Sequence, residues 1–136
     1  MNEDLSFEVR LRSSYEHALA RVLDELKKEG FAVLTRIDLD KAFKEKLGRD
    51  FRPYSILGAC NPQLAYRALN RRADIGVLLP CNITVEANPE GGAVVRIANP
   101  DTLIGRAGPV NDGALRDVAA EAFARLKRVA ESLGAG

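Results

Sequence analysis

The chain has 136 residues, 46% hydrophobic and 29% charged, with 20 Lys and Arg against 19 Asp and Glu. That length and composition suit one domain, 1–136, able to bury a core without disulfides or metal, and the balanced charge excludes a general nucleic-acid binder, which carries a basic excess or stripe. No apolar run approaches the ~18 residues of a membrane span, and the acidic start MNEDLSFEVR lacks the basic-then-apolar order of a secretory signal, so the expected location is cytoplasmic, with both cysteines as free thiols.

In chain order, LSFEVRLR (5–12) alternates without a break, placing Leu5, Phe7, Val9 and Leu11 on one face of a half-buried strand. The period then changes. Tyr15, Ala18, Leu19, Val22, Leu23 and Leu26 form one helical stripe, with Ser13 and Glu16 spaced as a capping box and Gly30 at C′. FAVLTRIDL returns to a strand with Phe31, Val33, Thr35 and Ile37 on one face and Arg36 and Asp38 on the other. A short lysine-rich helix follows, capped by Asp38 or Asp40, with Leu39, Phe43 and Leu47 four apart and Gly48 at its end.

YSILGAC (54–60) is apolar on both faces, the mark of a strand that is covered twice or lies against a partner. Asn61 then offers an N-cap oxygen and Pro62 fits N1 of a helix with Leu64, Ala65, Ala68 and Leu69 inside. The next strand spans 77–87, with Val77, Leu79, Cys81, Ile83 and Val85 on one face and Pro80 marking a bulge or an edge position. NPEGG is a turn and AVVRIA pairs back as a hairpin. NPDTLIGRAGPVND reads as a loop, and a long helix closes the chain, capped by Asn111 or Asp112 and buried through Leu115, Val118, Ala119, Ala122, Phe123, Leu126, Val129, Ala130 and Leu133. The order β-α-β-α-β-α-β-β-α implies an α+β fold in which a single sheet carries long helices on one side.

The chemistry-bearing candidates are two Cys-Asn pairs, Cys60-Asn61 and Cys81-Asn82. Cys60 precedes a helix start, where backbone N–H groups and the helix dipole favour a thiolate or a bound anion. Burial in an apolar strand is the simpler account of the same sulfur, and Cys81 is core-facing by pattern. Strands 54–60 and 77–87, if antiparallel neighbours, bring the two cysteines together, as a dithiol, a metal site shared across a dimer, or plain packing. Arg52 and Tyr54, just before the central strand, are placed to line a polar mouth.

His17 reads as an exposed helix residue, and without a second histidine or an activated serine no triad is visible. Asp38, Asp40 and Glu45 read as caps and solvated charges. Gly105 and Gly108 lack the strand-to-helix context of a phosphate loop. One histidine and two cysteines in one chain cannot fill a four-ligand structural zinc site, and the residues leave the cofactor unknown.

YSILGACNPQLAYRAL followed by GVLLPCNITVEA, with GFAVLTRIDLDKAFKEKLGRDFRPY before them, resembles the uncharacterised prokaryotic family called domain of unknown function 302. The resemblance runs from about Phe7 to the final helix, with Cys60, Asn61, Pro62, Pro80 and Cys81 all present. It implies a curved, mainly antiparallel sheet with long helices packed on it, similar to the TATA-binding-protein-like or helix-grip class, and a homodimer. It implies no activity, cofactor or catalytic residue, and the fold alone does not imply DNA binding.

The expected function is therefore a small cytoplasmic ligand-binding or accessory module, a homodimer, taking a small molecule or anion in a space between sheet and long helix. The alternative is a thiol-based redox or metal-handling activity using Cys60 and Cys81. A homo-oligomeric structural module without ligand is the third reading.

Overall fold

The computed structural model describes residues 5–103 and 112–135. The alternating start becomes β1 (Ser6–Leu11), and the first helical stripe becomes α1 (Tyr15–Lys28). Its N-cap is Ser14, which accepts from the His17 backbone N–H, and not Ser13 one residue earlier. Gly30 takes the left-handed backbone of a C′ residue, with φ +83°. Then follow β2 (Ala32–Asp38), α2 (Leu39–Leu47), β3 (Tyr54–Cys60), α3 (Pro62–Arg71), a 3₁₀ segment (Ala73–Leu78), β4 (Cys81–Ala87), β5 (Ala93–Ala98), a short helix α4 (Pro100–Leu103) and α5 (Gly113–Ala135).

The five strands make one antiparallel sheet in the order β1-β5-β4-β3-β2. Ala59 pairs with Cys81 and Leu57 with Ile83, so β3 and β4 are the antiparallel neighbours expected from their adjacency in sequence. One face is covered by α1 and α5. Leu57, Ile83, Val85, Val95 and Ile97 rise from the sheet into Val22, Leu26, Leu126 and Val129, and all are essentially excluded from solvent. The space expected between sheet and long helix is thus filled with side chains. A second cluster joins Leu64 and Ala68 of α3 to Leu115, Val118, Ala119 and Ala122 of α5, and includes Ile75.

Three further sequence expectations change. The strand expected over 77–87 begins only at Cys81. Pro80 has no N–H for a ladder, the Leu79–Pro80 bond is cis, and Val77, expected inside, is exposed at a 3₁₀ turn. The loop from Asn99 contains α4, and Gly105, Gly108 and Asn111 lie outside the described residues. Asp112 caps α5 by accepting from the Ala114 and Leu115 N–H groups.

The third change matters most. The β2–β3 register slips between Val33 and Thr35, leaving Leu34 as an extra residue. Beyond a one-residue slip every side chain changes face. Val33 faces the helices opposite Ala59, but Thr35 and Ile37 sit opposite Gly58 and Ile56 on the outer face. Arg36 and Asp38 are brought to the helix side, opposite Leu57 and Ser55.

Candidate functional site

The strand-to-helix corner at Cys60 forms as the residue types dictate. Asn61 caps α3, its Oδ1 accepting from Leu64 N–H at 3.2 Å, and Pro62 occupies the first turn. Cys60, Asn61 and Cys81 line one small apolar cavity with Phe31, Ala59, Leu64, Leu79 and Ala122. Its volume is about 30 Å³, space for a water molecule and far below the roughly 300 Å³ at which small-molecule sites begin. Asn82 is exposed on the opposite face of β4 and does not join this group.

Both cysteines are free, Cys60 partly buried and Cys81 buried. Burial raises the Cys60 thiol above its ordinary value. Burial pushes the Cys81 thiol up to about 11, with the nearby Cys60 sulfur adding to the shift. Both sulfurs are therefore held as neutral thiols at pH 7, which is the opposite of an activated nucleophile. Among the described residues no three His, Cys, Asp or Glu side chains gather to hold a metal ion.

Arg52 and Tyr54 stand at the start of β3, toward the outer face of the sheet. Arg52 Nε donates to Glu86 Oε2 at 2.6 Å, and the Arg52 guanidinium lies 4.4 Å from the Phe51 ring centroid. Glu86 is buried on β4, opposite Tyr54, and also takes a hydrogen bond from Arg96, which donates in turn to Glu8 at 3.0 Å. Burial opposes the Glu86 charge, but the two arginines outweigh it and hold the carboxyl below its usual range. Phe51 stacks edge-on against Phe43 of α2, with ring centroids 5.3 Å apart. Arg52 is thus tied into a charge network across the outer face.

The β2 bulge builds a different arrangement on the helix side. Ser55, wholly buried, donates from Oγ to Asp38 Oδ1 at 2.6 Å and is hydrogen-bonded to the Tyr15 phenol from α1. A carboxylate only accepts, so the single Ser55 proton goes to Asp38 and the Tyr15 O–H donates to Ser55. Arg36 Nε donates to the same Asp38 oxygen at 2.9 Å, and Lys41 Nζ lies 3.7 Å from Oδ2. The Ser55 hydroxyl, then Arg36 and Lys41, hold the Asp38 carboxyl below its usual value against the effect of burial. Asp38 occupies the N-cap position of α2 but makes no capping bond, its carboxylate being committed to this cluster. Asp40 accepts from the Tyr54 backbone N–H at 3.2 Å.

Above this chain lies an open groove of about 510 Å³. Tyr15, Arg36, Asp38 and Lys41 form its polar side; Leu19, Ala20 and Leu23 of α1 form its apolar side. Sequence reasoning passed over Tyr15, Ser55 and Arg36 as functional residues. One signal was present: Ser55 is the polar member of the core-facing set Ser55, Leu57, Ala59 in an otherwise apolar strand.

A two-layer α+β fold with an open antiparallel sheet, a sealed core and a mixed-polarity flank groove defines a class and not a reaction. The chain belongs to the family described as "Domain of unknown function DUF302", whose sequence profile matches residues 7–133. It is similar to a solved structure, the uncharacterized conserved protein DUF302 from Bacillus stearothermophilus. The two share 32% identity with a TM-score of 0.83, over 95% of this chain and 98% of that one. No curated protein matches the chain. No helix among the described residues is long and apolar enough to cross a membrane.

Proposed function

We propose that this chain is a small-molecule-binding module whose site is the groove between α1 and the β2–α2 corner. The observation that supports it is the hydrogen-bonded chain Tyr15–Ser55–Asp38–Arg36 at the groove wall, assembled from three elements around a fully buried hydroxyl. With its proton given to Ser55, the Tyr15 oxygen keeps its lone pairs as acceptors. The ligand class that fits has an apolar body against Leu19 and Leu23 and a polar head carrying a donor. About 510 Å³ lies within the range of small-molecule sites. The two raised thiols count against a thiolate activity, and their unpaired state suits a reducing cytoplasm.

A thermal-shift screen of a fragment library, followed by amide chemical-shift mapping, tests this. Hits should map to Tyr15, Leu23, Asp38 and Lys41 and weaken in Tyr15→Phe and Arg36→Gln. Hits that map instead around Cys81, or bind both variants as tightly as wild type, would overturn the assignment.

The homodimer implied by family resemblance is also proposed, on a separate observation. Edge strand β2, its neighbour α2 and the segment after α2 expose Leu34, Ile37, Leu47 and Phe51, each between 40% and 64% accessible. A second copy pairing through this edge about a two-fold axis would cover both the apolar side chains and the unpaired ladder groups. Light scattering should give twice the chain mass for wild type and the single mass for a Leu34→Glu, Ile37→Lys double variant. A monomeric wild type at micromolar concentration excludes it.

A further inference from the structure

A second groove, of about 520 Å³, opens where β1 ends, α1 begins and α5 ends. Among the described residues its basic lining is Arg10, Arg12, His17 and Arg21, with no carboxylate, in a chain whose net charge is only +1. Arg21 is committed: it donates to the Ser132 and Leu133 carbonyls at 2.9 and 3.1 Å and so answers the negative end of α5. Arg10 holds Glu8 loosely at 3.5 Å and is largely exposed. The Arg12 and His17 side chains make no hydrogen bond or ion pair with the described residues, and α1, 14 residues long, adds its positive end beside them.

A second observation points the same way. Ser13 lines the groove, and its Oγ is buried without any hydrogen-bond partner. An unpaired buried hydroxyl is costly, and a χ1 rotation toward an acceptor in the groove would satisfy it. Excess cationic donors and an unspent hydroxyl are the complement of an oxygen-rich anion. Two flexible guanidinium forks and an imidazole match a doubly charged phosphate better than a single carboxylate, which would leave positive charge uncompensated.

We propose that this groove binds the phosphate group of a small phosphorylated molecule, with Arg12 as the principal contact and Arg10, His17 and Ser13 beside it. The site uses a different face of the same N-terminal part of α1, His17 and Arg21 here against Tyr15, Leu19 and Leu23 there, and stands independently of the Tyr15 groove.

Titration of the full chain with inorganic pyrophosphate at constant ionic strength, read by two-dimensional amide NMR, tests the proposal. Saturable shifts are expected at Arg12, Ser14, His17 and Gly134. Arg12→Gln, an exposed position that leaves the core untouched, should weaken the apparent affinity about tenfold, and Arg12→Lys should recover part of it. Shifts that grow linearly without saturation, or an affinity unchanged in Arg12→Gln, would overturn the site. Co-sedimentation with phosphatidic acid vesicles separates the sources of phosphate. Binding to vesicles without binding to pyrophosphate overturns a small-molecule site.

Discussion

Ser55 Oγ lies 2.6 Å from Asp38 Oδ1, each the other's ladder partner across the β2–β3 pair. The contact exists because the bulge at Leu34 turns Asp38 inward, and it leaves a charged carboxylate beside the edge of an apolar core. Ser55→Ala removes the donor that does most to hold Asp38 ionised and strands the Tyr15 phenol. Loss of roughly 1–3 kcal/mol of stability is expected in urea unfolding at pH 7.

The same pair sets an acid dependence. A carboxyl whose folded pKa is depressed contributes stability that is fully present above its unfolded pKa, about 3.9, and lost as pH falls through the lower folded value. Asp38 is such a group. The stability difference between wild type and Asp38→Asn should therefore be largest above about pH 4 and shrink on acidification below it. A difference that stays constant down to the acid transition would contradict the assigned shift.

Cys81 predicts the opposite limb. Burial favours its neutral thiol, raising the pKa from 9.0 to about 11. Its contribution to stability is fully present below pH 9 and lost as pH rises from 9 toward 11. The alkaline fall in stability should be shallower in Cys81→Ala than in wild type. In alkylation at pH 8, Cys60 should react ahead of Cys81, and both more slowly than in the unfolded chain. Rapid modification of native Cys81 would favour the alternative thiol reading over the binding module.

Gly58→Ala tests how closely the outer face of β3 is covered. A methyl there would stand 2.3 Å from Thr35 Oγ1 and 2.8 Å from Pro80 Cγ. Thr35 can rotate, but the proline ring cannot withdraw as easily, so a loss of about 1–3 kcal/mol is expected in denaturant unfolding.

Glu86→Gln weakens the ion pairs to Arg52 and Arg96 while keeping the side-chain volume. Glu86 is buried, but both arginines reach solvent and can be rehydrated. The cost should be about 2 kcal/mol, below that of a fully buried broken pair. Added salt should narrow the gap between variant and wild type.

Periodicity made most of the architecture legible. The long helices, the β4–β5 hairpin, the Asn61 cap and the meeting of Cys60 with Cys81 at one cavity all follow from local residue choice and strand adjacency. The groove at Tyr15 was not legible, for a definite reason. A bulge is a property of the pairing between two strands, and nothing in VLTRID distinguishes a continuous ladder from one that skips Leu34. Alternation alone therefore puts Arg36 and Asp38 on the face opposite Val33. The start of β4 was misplaced because alternation continues through Leu79 and Pro80 while the backbone leaves the sheet.

The order β1-β5-β4-β3-β2 puts the first two strands of the chain at opposite edges. Ser6 has its ladder partner in Ala98, and the apolar stripe of α1 packs on the sheet and is completed on its other side by α5. During synthesis β1 therefore emerges with nothing to pair with until β5 follows, and α1 waits longer still. Part of the apolar face of α1 stays uncovered until α5 has been made, and α5 is the segment that seals this core. Such a chain depends on late, long-range closure, and removing the final turns of α5 should leave an aggregation-prone sheet and not a smaller domain.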